Sequence, residues 1–140
     1  MRIAIVGSRE FAPLEAVRTY VAALPQGTVI VTGGWPSNAG GYRVVEATRG
    51  VDREAYVQAE RAGLVTVLVA GSRTRQEHLA GLQRNPVIVD LADIVVAFWD
   101  LRSSGTAATL RHALDAGKQV AVIGPQGPVP HWRQFMPARE

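Results

Sequence analysis

Five short runs of β-branched and small apolar residues recur along the 140-residue sequence, each closed by glycine or a polar turn and separated from the next by a helix-like stretch. Residues 2–6 end in Gly7-Ser8-Arg9, Thr28 to Thr32 end in Gly33-Gly34, and Leu64 to Ala70 end in Gly71-Ser72-Arg73. Ile94 to Trp99 then run into Asp100, and Gln119 to Ile123 into Gly124. Apolar runs of this length without polar alternation are expected as strands buried on both faces, the pattern of a parallel sheet.

The stretches between them read as crossovers. Leu14, Val17, Val21 and Leu24 recur at helical spacing until Pro25-Gln26-Gly27. Asp52 is placed to cap a helix with Ala55, Ala59 and Ala62 on one face, ending at Gly63. Thr74 with Glu77 has capping-box spacing and predicts a short helix. Asn85-Pro86 opens another that runs to Ala92, and Ser103-Ser104-Gly105-Thr106 opens a last one that ends at Gly117. The expected architecture is a three-layer, doubly wound α/β domain with a mainly parallel sheet of about five strands and helices on both faces. It spans residues 1–124 as one domain, with 35–48 as an inserted Gly-rich loop, mobile without ligand, and 125–140 as a Pro-rich tail without a clear element. Exposed helices of such a small domain favour a homodimer or higher homo-oligomer.

Composition removes several functions. With no cysteine there is no disulfide framework, zinc knuckle or thiol nucleophile. No apolar run approaches the ~20 residues of a membrane helix, and residues 1–8 are too short for a signal core, so the expectation is a cytoplasmic protein without a membrane partner. The net charge of +3 rests on fourteen scattered arginines and Lys118, which gives no localised basic face.

In open α/β sheets ligands bind beyond the carboxyl ends of the strands. Here every such end carries glycine, and amides at a helix start attract anions. A phosphate is therefore the expected occupant, held by Gly7, Ser8, Arg9, Gly33, Gly34, Arg49, Ser104, Gly105 and Thr106. Any single turn would favour Gly and Ser for steric reasons alone; the Ser103–Thr106 turn stands out by offering three hydroxyls at one helix start. GxGxxG, GxxxxGK[ST] and an acidic ribose partner after the second strand are all absent, so there is no NAD or FAD signature and a nucleotide is the expected ligand. His78, His112 and His131 are too scattered for a metal site. Arg73, Arg84 and Arg102 read as surface charges. Trp35 or Tyr42, ahead of Trp99, could stack on a base. Asp100 and Glu46 are the candidate catalytic carboxylates.

The ordered set Val6-Gly7-Ser8-Arg9-Glu10-Phe11, Val31-Thr32-Gly33-Gly34, Arg49-Gly50-Val51-Asp52-Arg53, residues 92–100 and Ser104-Gly105-Thr106 resembles the SLOG superfamily. The likeness is greatest to its small YspA-type members of unknown function, which are related to the DNA-processing protein DprA and to lysine decarboxylase-like phosphoribohydrolases. The resemblance runs from Met1 to about Gly124. It implies a Rossmann-like fold that binds nucleotides or nucleotide-derived ligands. Two departures matter. Relatives join the glycine pair almost directly to the Arg-Gly-Val-Asp segment, where this chain inserts residues 35–48 as a lid or a change of ligand. The hydrolases carry a glutamate three residues after the Gly-Thr pair, where this chain has Thr109.

Three functions follow in order of support. The first is a nucleotide-binding or sensor domain. The second is a nucleoside-monophosphate N-glycosidic (phosphoribo)hydrolase in which Asp100 or Glu46 replaces the missing glutamate. The third is a single-stranded DNA-binding module, with single-stranded nucleic acid as its partner.

Overall fold

The computed structural model describes residues 1–39, 42–70 and 84–138. In chain order its elements are β1 (Arg2–Gly7), α1 (Glu15–Ala22), β2 (Val29–Ala39), β3 (Tyr42–Ala47), α2 (Val51–Arg61) and β4 (Val65–Ala70). There follow α3 (Arg84–Leu91), β5 (Ile94–Phe98), α4 (Ser104–Asp115), β6 (Gln119–Gly124), β7 (Gly127–Pro128) and a 3-10 turn, Trp132–Phe135.

Five strands are parallel, in the spatial order β4-β2-β1-β5-β6. Counted along the chain this is 3-2-1-4-5, the Rossmann-like order, and it reverses between β1 and β5. Alternation within each strand builds the layers. Ala4 and Val6 of β1, with Val95 and Ala97 of β5, enter one core with Ile88, Val89, Leu110 and Ala113 of α3 and α4. Ile3, Ile5, Val96 and Phe98 enter the other, with Val17 and Val21 of α1 and Ala55 and Ala59 of α2. The sheet is therefore doubly wound and buried on both faces, as the apolar runs require.

Three expectations are corrected. Segment 35–48 is largely a β-hairpin: β2 continues to Ala39 and β3 returns antiparallel, with Gly34 opposite Ala47 and Ala39 opposite Tyr42. The β-prone residues Tyr42 to Val45 supply the second strand. Gly34 lets it close, since a Cβ there would lie 2.6 Å from the Glu46 carbonyl oxygen. Asp52 is not the cap of α2; Gly50, at φ +91°, takes that position, and Asp52 is the second helical residue. Residues 125–138 are not featureless, for β7 pairs with β6 and Trp132 is buried in the α3/α4 core. The turn Gly71-Ser72-Arg73, the helix expected from Thr74 and Glu77, and His78 lie outside the described residues.

Candidate functional site

A cleft of about 370 Å³ opens at the carboxyl ends of β1 and β5, where the strand order reverses. Its lining comes from the end of β1 (Val6, Gly7, Ser8, Arg9, Glu10), the segment into α2 (Thr48, Arg49, Val51, Asp52), α3 (Asn85, Ile88) and the β5-to-α4 turn with the first turns of α4. The hairpin carries Thr48 and Arg49 there. Val29 N–H donates to the Met1 carbonyl on the β1 side of β2, and the Gly33 carbonyl, on that same edge, accepts from Thr48 N–H. β3 thus runs out beyond the end of β1 and returns the chain to the cleft.

Hydroxyls form the floor. The Ser8 hydroxyl is buried, 2.7 Å from that of Ser103 and 3.5 Å from that of Thr106, and it accepts from Asp100 N–H at 3.4 Å. Ser103 occupies the N-cap position of α4, yet its hydroxyl bonds Ser8 and does not cap the helix. The first-turn amides of α4 consequently have no acceptor within the helix. Thr109 is also buried in the lining, its hydroxyl donating to the Gly105 carbonyl at 3.1 Å.

The turn into α4 is tied by hydrogen bonds. Asp100 Oδ1 accepts from Ser103 N–H at 2.7 Å and from Arg102 N–H at 2.9 Å, an Asx-type turn. Between them Leu101 sits at φ +68°, a left-handed conformation that is strained for a leucine. The indole N–H of buried Trp99 holds the Ser103 carbonyl at 3.1 Å. Partial burial pushes the Asp100 carboxyl up, but donation from the Ser103 and Arg102 amides and the Ser8 and Ser103 hydroxyls outweighs it and holds the group below the usual carboxylate range. It is an ionised acceptor at neutral pH.

Two glycines of the cleft have different causes. A Cβ on Gly7 would lie 2.6 Å from Val51 Cγ2 and 2.8 Å from the Phe98 carbonyl oxygen, so this glycine lets α2 start against the strand end. A Cβ on Gly105 would meet nothing within 4 Å. That position faces open space in the lining.

Of the residues singled out in the sequence, Gly7, Ser8, Arg9, Arg49, Asp100, Gly105 and Thr106 meet in the cleft. Ser104, Gly33, Gly34 and Glu46 are not part of its lining: Gly34 is taken up by the hairpin, Glu46 pairs with Trp35 along it, and Ser104 is exposed on the outer side of α4. Glu10, Thr48, Asn85, Ile88 and Thr109 join the lining without having been singled out for it. Ser103, Thr106 and Thr109 recur at three-residue spacing, a signal for one polar helix face. Trp99 is core, and the side chains of Trp35 and Tyr42 lie outside the described part of the structure. His112 bonds Asp90 at 3.0 Å and His131 precedes the 3-10 turn. No cluster of metal-ligating residues occurs among the described residues, and no described helix is long and apolar enough to cross a membrane.

No protein-family model matches the chain, and no curated protein matches its sequence. Two solved structures share its fold. The molybdenum cofactor binding protein of the phototrophic bacterium Rippkaea orientalis superposes with a TM-score of 0.64 at 24% identity, over 88% of this chain and 76% of that one. DNA processing protein A of Helicobacter pylori, described for its single-stranded DNA binding mode, gives 0.58 at 21% identity, over 88% of this chain and 65% of its own. At these identities the likeness is one of fold.

Proposed function

We propose that the protein binds a small phosphorylated ligand, a nucleotide or nucleotide-derived cofactor, with its phosphate at the N-terminus of α4. The carrying observation is that the starts of α2 and α4 converge on one cleft whose floor is hydroxyl-lined by Ser8, Ser103 and Thr106. Helix N-termini present unbonded N–H groups and the positive end of the dipole, and hydroxyls add donors without charge. Exposed Arg9 and Arg49 stand at the rim as counter-charges. The volume suits one drug-sized molecule.

The two structural neighbours support this reading at the level of fold, one binding a molybdenum cofactor and the other single-stranded DNA. The cleft favours the small molecule over a strand, because its donors converge on one point and do not track along a groove. Binding is favoured over glycosidic cleavage because Asp100 already accepts two amides and Glu46 lies outside the lining.

The test is thermal unfolding of the protein with mononucleotides, ADP-ribose, phosphorylated pterins and short oligonucleotides, repeated on Gly105→Asp. A ligand at ~100 times its dissociation constant adds about 2.7 kcal/mol, roughly 10 °C here. Asp in the first turn of a helix is itself favourable, so the variant stays folded while its charge enters the phosphate position. Equal stabilisation of both proteins by the same small molecule would remove the site from α4, and stabilisation by oligonucleotides alone would favour the DNA-binding reading.

A further inference from the structure

Ser103 is built as a helix cap and does not act as one. It holds the N-cap position of α4 with the extended backbone of a capping residue, φ −63° and ψ 129°, and serine is among the side chains that best accept from the second or third amide of a helix. The corresponding residues of α1 and α2, Leu14 and Gly50, have no side chain that could do so. Ser103 has one, but its hydroxyl lies 2.7 Å from that of Ser8 and makes no capping bond to α4. The first amide of this helix with a backbone partner is that of Ala107, which donates to the Ser103 carbonyl at 3.2 Å. Among the described residues nothing accepts from the amides of Ser104, Gly105 and Thr106.

What draws the hydroxyl away sits at the end of β1. Ser8 is 4% exposed, and a buried hydroxyl left without a partner is costly. Its contacts to the Thr106 hydroxyl and the Asp100 amide are long, 3.5 and 3.4 Å, against 2.7 Å to Ser103. Amides at an open helix start can be served by water instead. The Asp100 carboxylate is engaged elsewhere too, since its Oδ1 accepts from the amides of Arg102 and Ser103, which precede the helix. A Cβ on Gly105 would meet nothing within 4 Å, so the approach to the first-turn amides is clear.

We infer that Ser8 is a positioning residue: by engaging the Ser103 hydroxyl it withholds the cap from α4 and keeps the amides of Ser104, Gly105 and Thr106 open to a phosphate oxygen. The inference rests on the phosphate reading of the cleft and adds to it what stops the helix from closing on its own serine. A capping hydroxyl and a phosphate oxygen seek the same amides, so a self-capped α4 would take an anion only by first giving up its cap.

Nuclear magnetic resonance of the full chain tests the cap and the anion separately. Without phosphate, hydrogen exchange at the Gly105 and Thr106 amides should slow about five-fold in Ser8→Ala, where the freed Ser103 hydroxyl turns to the helix. In Ser8→Ala/Ser103→Ala it should be fast again. Titrated with inorganic phosphate, Ser8→Ala should bind about five-fold more weakly than the unsubstituted protein, and the double variant should bind more tightly than Ser8→Ala. If Ser8 served only packing, or only as a donor to the phosphate, a second lost hydroxyl would restore nothing. Unchanged exchange in Ser8→Ala overturns the inference, and so does a double variant that binds phosphate no better than Ser8→Ala. If phosphate shifts no α4 amide of the unsubstituted protein, the phosphate reading falls, while the exchange rates still decide whether Ser8 withholds the cap.

Discussion

The side-chain hydroxyls of Ser8 and Ser103, 95 positions apart in sequence, lie 2.7 Å apart and join the end of β1 to the N-cap of α4. Ser8 is buried while Ser103 is half-exposed, so removing the Ser8 hydroxyl leaves a partner that can turn to water. Ser8→Ala is therefore expected to cost about 1 kcal/mol, about 3 °C in a chain of this length. Urea unfolding at neutral pH measures it. A loss of several kcal/mol would mean that the longer contacts of Ser8 to Thr106 and to the Asp100 amide carry much of the floor as well.

Gly7 and Gly105 make a paired prediction, because both line the cleft and only one is crowded. Gly7→Ala forces a methyl group onto Val51 and the Phe98 carbonyl and should destabilise by about 1–3 kcal/mol, the usual range for overpacking. Gly105→Ala adds a methyl group in open space on a helical residue and should be neutral or stabilising by about 0.5 kcal/mol. The denaturation midpoint of the Gly7 variant should fall, and that of the Gly105 variant should stay or rise.

Asp100 sets an acid limit. Its folded pKa lies below the unfolded value, so the folded state favours the ionised form; that stability is present above the unfolded pKa and is lost as pH falls through the folded one. Stability should thus decline below about pH 4, the ordinary aspartate range. Asp100→Asn keeps an oxygen for the Ser103 and Arg102 amides but cannot titrate. Its stability should fall less steeply with acid than that of the unsubstituted protein, as thermal melts between pH 2 and 5 would show.

The sheet was legible because each parallel strand is apolar on both faces and ends at a glycine or a polar turn, a pattern few other arrangements produce. The hairpin was not, because Gly34, Pro36 and Gly40-Gly41 punctuate residues 34–47 like a loop, while the pairing of β3 with β2 is a tertiary event. Within the cleft, Gly7 and Gly105 look alike as letters. Only the position of Val51 separates a glycine that admits a helix from one that leaves room. Ser104 and Ser103 are adjacent hydroxyls at one helix start, and which of them turns inward is set by the Asx turn at Asp100, a geometry no spacing rule specifies.

Trp132 shows the same limit at the other end of the chain. Proline-rich surroundings mark residues 125–140 as a tail, but the indole is 5% exposed within the core that also holds Trp99 and Leu110. Arg111 donates to the Pro137 carbonyl at 2.7 Å and ties the tail to α4. Trp132→Ala should cost about 3–5 kcal/mol, as for other large core side chains, and removal of the tail should cost at least as much. A truncated protein with an unchanged midpoint would show that the turn only rests on the core.

The rim arginines separate two ways in which the cleft could hold an anion. If the charge of Arg9 and Arg49 dominates, Arg9→Gln or Arg49→Gln should abolish binding of the mononucleotide that gives the largest thermal shift. Both side chains are exposed, however, and exposed charges act through water and are screened within about 8–10 Å at physiological salt. The amides at the start of α4 and the Ser8, Ser103 and Thr106 hydroxyls are fixed in place and partly sheltered. Each arginine substitution should therefore weaken binding only about two- to five-fold at low salt, the effect of an exposed ion pair, and should matter less at 0.5 M salt. Gly105→Asp should weaken binding more, and most of its effect should survive added salt, because part of it is the volume of the new side chain. Titrations at two salt concentrations distinguish these outcomes. Complete loss with either arginine substitution at high salt would shift the principal anion contact from the helix terminus to the rim.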